Sequence, residues 1–157
     1  MIAGGAVLAL TAVFFGVLRW CYGRAFYHPP KHRRLDTLVA VNEIKDDMMR
    51  AAPMDRLLCG DVGFGKTEVA FVAAFKAILD SKQVLFLCPT TILSKQRYEN
   101  FKSRMEDYGI RVEMLNRFVP ASKQRDIIEG IKKGGVDVVI GTHRVLSDEI
   151  KFKDLGL

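Results

Sequence analysis

Eight consecutive residues, Gly60-Asp61-Val62-Gly63-Phe64-Gly65-Lys66-Thr67, fill every fixed position of the spacing G-x-x-x-x-G-K-S/T. The residue types suit one chemistry. Glycines at both ends let the backbone curl until successive N–H groups point inward at a polyphosphate. A lysine at position 66 supplies a mobile cation for the β- and γ-phosphates, and the Thr67 hydroxyl is placed for a nucleotide-borne Mg²⁺. Glu68 follows in the first turn of a strongly helical stretch, Glu68 to Leu79, with apolar residues at helical spacing. The loop therefore opens a helix whose partially positive N-terminus faces the phosphates. A solvated glycine-rich turn is the alternative. It leaves Lys66 unexplained, because a cation in the first turn opposes the helix dipole unless an anion is present. ATP and Mg²⁺ are the expected ligands, with Gly60 through Glu68 forming the nucleotide site and Lys66 and Thr67 its reactive groups.

Such a loop needs a strand before it and a helix after it. Arg56-Leu57-Leu58-Cys59 is a short apolar run that predicts the strand. Beyond the loop the chain alternates. Val84–Cys88, Arg111–Leu115 and Val136–Ile140 read as strands. Stretches 36–51, 66–80, 91–108 and 121–133 read as helices, with a further short one from about 143. Strand–helix repetition at this period predicts a parallel sheet with helices on both faces and ligands at the carboxyl ends of its strands.

The chain has 157 residues, 49% of them hydrophobic and 27% charged, a composition that excludes a disordered protein. Its net charge of +6 is concentrated at one end. Residues 1–34 contain Arg19, Arg24, Lys31, Arg33 and Arg34 and no acid, so the remainder is close to neutral. Overall basicity is then no argument for a nucleic-acid surface on the domain. The three cysteines, Cys21, Cys59 and Cys88, are too far apart for a metal-ligand or disulfide framework. Cys59 and Cys88 end apolar runs and are expected as buried thiols in a reducing compartment.

The N-terminal end is of another kind. Ile2 to Leu18 is uncharged and, as a helix, is about 26 Å long, near the lower limit for crossing a bilayer. Trp20 and Tyr22 stand where an interfacial belt belongs, and Arg19 can snorkel. A cleaved signal peptide is the rival, but its basic residues belong before the apolar run, not after it. The expectation is a membrane-anchor helix over residues 1–27, with the membrane contact in 2–22. Its orientation is N-out and C-in, so the nucleotide loop lies in the cytoplasm. The basic stretch 28–35, with Pro29 and Pro30, is a linker in which His28 and His32 are solvated. An α/β domain occupies 36–157.

With these motifs in order, the domain resembles the first motor domain of bacterial transcription-repair coupling factors and, more distantly, the helicase RecG. The resemblance runs through Met54–Ala70, Val84–Gln96, Tyr98–Phe101, Leu115–Phe118, Asp137–Arg144 and Lys151–Leu157. It implies a superfamily 2 helicase with a RecA-like fold, acting as an ATP-dependent DNA translocase in repair. It also implies that Pro89, Thr90 and Thr91, and later Gly141, Thr142 and His143, touch the backbone of double-stranded DNA. Hydroxyls and amides at strand-to-helix turns suit that task, since they bind phosphate and carry no sequence code. Simple N-capping of the next helix is the alternative for Thr90 and Thr91. No role beyond the match follows for Arg117 and Phe118. Contact with RNA polymerase is not implied, because the family's polymerase-binding parts lie outside the resembling span.

The chain also departs from the family pattern. Thr37 stands where the family carries an adenine-reading glutamine, which puts base selectivity in doubt. The Asp-Glu pair that holds Mg²⁺ in the family is expected beyond Leu157, and the second motor domain is expected elsewhere. Nucleotide binding without turnover is the leading expectation, since hydrolysis is achieved by positioning and charge neutralisation. The alternatives are a membrane-tethered nucleotide-binding module with no DNA role, and a truncated fragment whose exposed sheet edge prevents folding.

Overall fold

The structure, a computed structural model, describes residues 31–157, with side chains from Thr37 onward. The expected anchor and most of the linker lie outside the described residues. Among the described residues no helix is long and apolar enough to cross a membrane. The chain divides into two compact units, residues 1–35 and 36–157, and the second contains the glycine-rich loop.

Four α-helices and three strands make up the described residues, alternating from the second helix onward. They are α1 (Lys31–Met48), α2 (Lys66–Leu79), β1 (Val84–Leu87), α3 (Thr91–Met105), β2 (Val112–Leu115), α4 (Ala121–Lys133) and β3 (Val138–Gly141). Short 3₁₀ turns occupy Glu106–Tyr108 and His143–Leu146. The strands form one parallel sheet in the order β1-β3-β2, with Leu87 and Leu115 both in register with Gly141. The central position of β3 explains its composition. Val138, Val139 and Ile140 are all buried, as a strand flanked by two others requires, and a continuous apolar run replaces alternation. Around it pack Leu115, Val119, Ile127, Ile131, Val136 and Val145. On the β1 side Phe71 of α2 stacks on Phe101 of α3 with ring centroids 3.8 Å apart. Helix α1 buries Thr37, Val41 and Ile44, spaced by four and three residues along one face.

One expected strand is missing. Among the described residues Arg56–Cys59 has no strand partner, and the segment is largely open to solvent, with Leu57 87% exposed, Leu58 half-buried and Cys59 exposed rather than buried. A strand exists through the hydrogen bonds of a neighbour. The outer edge of β1 is instead taken by the chain's last residues. Leu155 pairs in parallel with Gln83, and Leu85 N donates to Leu157 O at 2.8 Å. Arg56 is held otherwise, by ion pairs to Glu43 and Asp47 of α1. These two carboxylates raise the guanidinium pKa above its ordinary value, Asp47 contributing more.

Nothing in its sequence context singles out Gln83, yet it is the polar hub of the sheet's lower end. Its buried amide donates to Ile131 O at 3.0 Å and Val136 O at 2.8 Å. Its oxygen accepts from Lys153 N at 2.8 Å and Asp154 N at 3.1 Å. Replacing Gln83 by Leu keeps the volume but strands three backbone groups, Val136 O and the amides of Lys153 and Asp154, while Ile131 O keeps Gly134 N. It is expected to cost about 3 kcal/mol, read as a lower urea midpoint with an unchanged slope.

Candidate nucleotide and nucleic-acid site

The loop before α2 has the conformation its glycines permit. Gly63 and Gly65 both lie at φ 80°, in the left-handed region where a Cβ is disfavoured. Residues 61–64 form a turn closed by Phe64 N donating to Asp61 O at 3.2 Å. Gly65 is the N-cap of α2 and offers no side chain to cap it. Glu68 N and Val69 N both donate to Gly65 O, the first intrahelical acceptor. The amides of Lys66 and Thr67 precede that ladder and have no i−4 carbonyl to take them. A helix start with outward amides and no capping side chain suits an anion.

Lys66 is folded back over this loop. Its ammonium donates to Asp61 O at 2.8 Å and to Gly60 O. Both acceptors are neutral carbonyls, and among the described residues no carboxylate is within ion-pair reach of it. A cation held by carbonyls alone, at the positive end of a helix, is poised for an incoming anion. The residues present therefore fit a nucleoside triphosphate. Thr67, half-buried at the second helical position, is the loop's one hydroxyl. Among the described residues no cluster of three or more His, Cys, Asp or Glu could hold a metal ion.

The remaining loop positions are Asp61 and Val62, both exposed, and Phe64, half-buried against Gly60. Glu68 is turned sideways to an ion pair with Arg104 of α3 at 2.8 Å, and the Arg104 guanidinium lies 4.6 Å from the Phe71 ring centre. Thr37 lies beside the loop and is buried, its hydroxyl 3.8 Å from where a Cβ on Gly65 would stand.

The other two expected motifs meet at the carboxyl edge of the sheet. Pro89, Thr90 and Thr91 follow β1, while Gly141 ends its neighbour β3 and Thr142 and His143 follow. Cys88 N donates to Gly141 O at 2.7 Å across the pair. Thr90 accepts from Leu93 N at 3.2 Å, so it does cap α3, while its residue stays exposed. His143 is also exposed. Thr142 is not: it is 3% exposed, and its hydroxyl has no hydrogen-bond partner among the described residues. Gly141 is the closest approach in the sheet. A Cβ there would stand 2.2 Å from Val145 Cγ1 and 2.4 Å from Leu115 O. Cys88 beneath this edge is buried, and burial pushes its thiol pKa up, partly offset by Arg97.

Sequence reasoning passed over Asn116, which shapes the third turn of the edge. It is 2% exposed, accepts from Phe118 N at 3.0 Å and donates to Ser94 Oγ at 3.3 Å. The signal was an Asn after an apolar strand, the residue type that bonds the backbone two positions on.

A family model described as DEAD/DEAH box helicase matches residues 39–157. The transcription-repair-coupling factor of Staphylococcus epidermidis is 54% identical over 134 residues, 85% of this chain and 12% of that protein. The Bacillus subtilis transcription-repair-coupling factor is 56% identical over 128 residues, 82% and 11% of the two chains. Among solved structures, RecG bound to a three-way DNA junction superposes with a TM-score of 0.79 at 34% identity, covering 89% of this chain and 19% of that one. The chain thus spans about an eighth of the length of these curated relatives.

Proposed function

Because the chain belongs to the DEAD/DEAH box helicase family, we propose that it is the nucleotide-binding part of an ATP-dependent DNA translocase of the transcription-repair coupling type. One observation carries the reading. The glycine loop presents the amides of Lys66 and Thr67 and an ammonium without a carboxylate at the start of α2. In this proposal Gly60 to Lys66 cradle the phosphates and Thr67 touches the Mg²⁺ they bring. Glu68, fixed by Arg104, keeps its charge out of the phosphate path. The exposed Thr90 and His143, with the amides of their turns, take the DNA backbone. The likeness to RecG on a DNA junction supports DNA as the polymer. Among the described residues no Asp-Glu pair stands at the end of a strand, since Asp148-Glu149 follows the 3₁₀ turn after β3, and the expected activity of residues 31–157 is binding without turnover.

Two titrations test this. A fluorescent ATP analogue should bind saturably and more tightly with Mg²⁺ than with EDTA. A labelled DNA duplex should bind with an affinity that falls as salt rises. Absence of saturable nucleotide binding removes the loop assignment. Nucleotide binding without any DNA binding leaves a nucleotide module of another kind.

A further inference from the structure

Beside the edge that carries Thr90 and His143, the turn after β2 and the first turn of α3 border an open recess of about 190 Å³. Its apolar walls include Ile92, Met114, Phe118 and Val119, and Thr91 and Lys95 complete that side. No carboxylate lines it. Two of its apolar residues face solvent, Ile92 at 81% and Phe118 at 69% exposure. The backbone beneath each is held by a side-chain hydrogen bond. Phe118 is tied through its own amide to the buried Asn116, and the Arg117 guanidinium lies 4.9 Å from the centre of its ring. Ile92 sits in the first turn of α3, whose start is capped by Thr90. The surface therefore offers an aromatic face, a guanidinium plane, an ammonium and a hydroxyl around an apolar recess. A phosphate contact alone needs none of the apolar parts.

We propose that this recess is a base-stacking site for unpaired nucleotides. A base packs on Phe118 and Ile92, while Arg117 and Lys95 compensate the phosphates beside it. The occupant follows from charge and shape together: the cations Arg117 and Lys95 call for an anion, and only the exposed ring rewards a flat apolar group. Among the described residues Glu99 lies 3.9 Å from Lys95 in an exposed pair that weakens but does not cancel its charge. This inference rests on the nucleic-acid reading above and adds that bases, not only backbone, are touched.

The test uses the whole 157-residue chain and two single strands of about 12 nucleotides, an oligothymidylate and the same backbone carrying abasic residues. The wild type should bind the thymidylate more tightly than the abasic strand. Phe118→Ala should weaken thymidylate binding roughly five- to a hundredfold and abolish the difference between the strands, whereas Phe118→Trp should keep it. Lys95→Ala should weaken both strands alike and reduce the salt slope by about one. Because Phe118 is mostly exposed, thermal unfolding of its variants should match the wild type. Equal binding of both strands by the wild type, or a Phe118→Ala variant that still tells them apart, overturns the stacking site while leaving a backbone-binding motor domain. That outcome would reassign the recess to an apolar segment of a protein partner. Failure of the wild type to bind any nucleic acid overturns the broader reading as well.

Discussion

Lys66→Ala is expected to lower ATP affinity about a hundredfold, or roughly 3 kcal/mol, with no comparable loss of stability. Two effects oppose each other in that number. The ammonium's attraction for the β- and γ-phosphates is lost. Its present bonds to Gly60 O and Asp61 O, which nucleotide must break, are lost too. The first should win, because a charge-assisted contact to phosphate is about twice as strong as a bond to a neutral carbonyl, and the loop carbonyls can turn to water instead. The exposure of Lys66 makes this a clean substitution. Lys66→Arg keeps the charge but not the reach of a compact ammonium, and should recover only part of the loss. Isothermal titration with ATP and Mg²⁺ reads all three proteins. An unchanged dissociation constant for Lys66→Ala would falsify the phosphate-loop assignment and return the segment to an ordinary turn.

Gly141→Ala should be the most destabilising single methyl in the domain. A Cβ at this position falls 2.4 Å from Leu115 O and 2.2 Å from Val145 Cγ1. The second clash could be relieved by a rotamer change. The first cannot, because Leu115 and Gly141 are partners in the parallel register of β2 and β3, so the strands themselves must separate. Overpacking of this kind costs about 3 kcal/mol or more where backbone must move. For a domain with a total stability of roughly 5–15 kcal/mol this is a large fraction. The urea midpoint should fall markedly, and the melting temperature by about 10 °C. Thr142 and His143 follow immediately, so weaker DNA binding should accompany the loss of stability. A variant as stable as the wild type would mean that the β2–β3 register is looser than this geometry requires.

Some of the molecule is readable residue by residue. The loop is readable because its chemistry is local: glycines at fixed offsets, then a lysine, a threonine and a helix, need no distant partner to make an anion site. Helix 121–133 is readable for a related reason. Its apolar spacing is strong, and Gly134, at φ 75°, stops it. The three strands of the sheet are visible as apolar runs, their ends off by one or two residues.

Other features depend on which chain segment lies beside which, and this the order of residues does not state. Leu57 and Leu58 carry the composition of a buried strand, but burial comes from a neighbour, and here the edge of β1 is taken by 154–157. Cys59 is exposed for the same reason. Gln83 becomes a hub only because Ile131, Val136 and Lys153 converge on it from 48, 53 and 70 positions away. Thr142 reads as an open phosphate donor, yet the packing of β3 buries its hydroxyl. Local backbone preference and side-chain chemistry thus specify a loop that can bind phosphate. The meeting of β1 and β3, which aligns two distant turns on one edge, and the pairing of β2 that shapes the recess at Phe118 are set by long-range contacts whose free energy exists only once the sheet has formed.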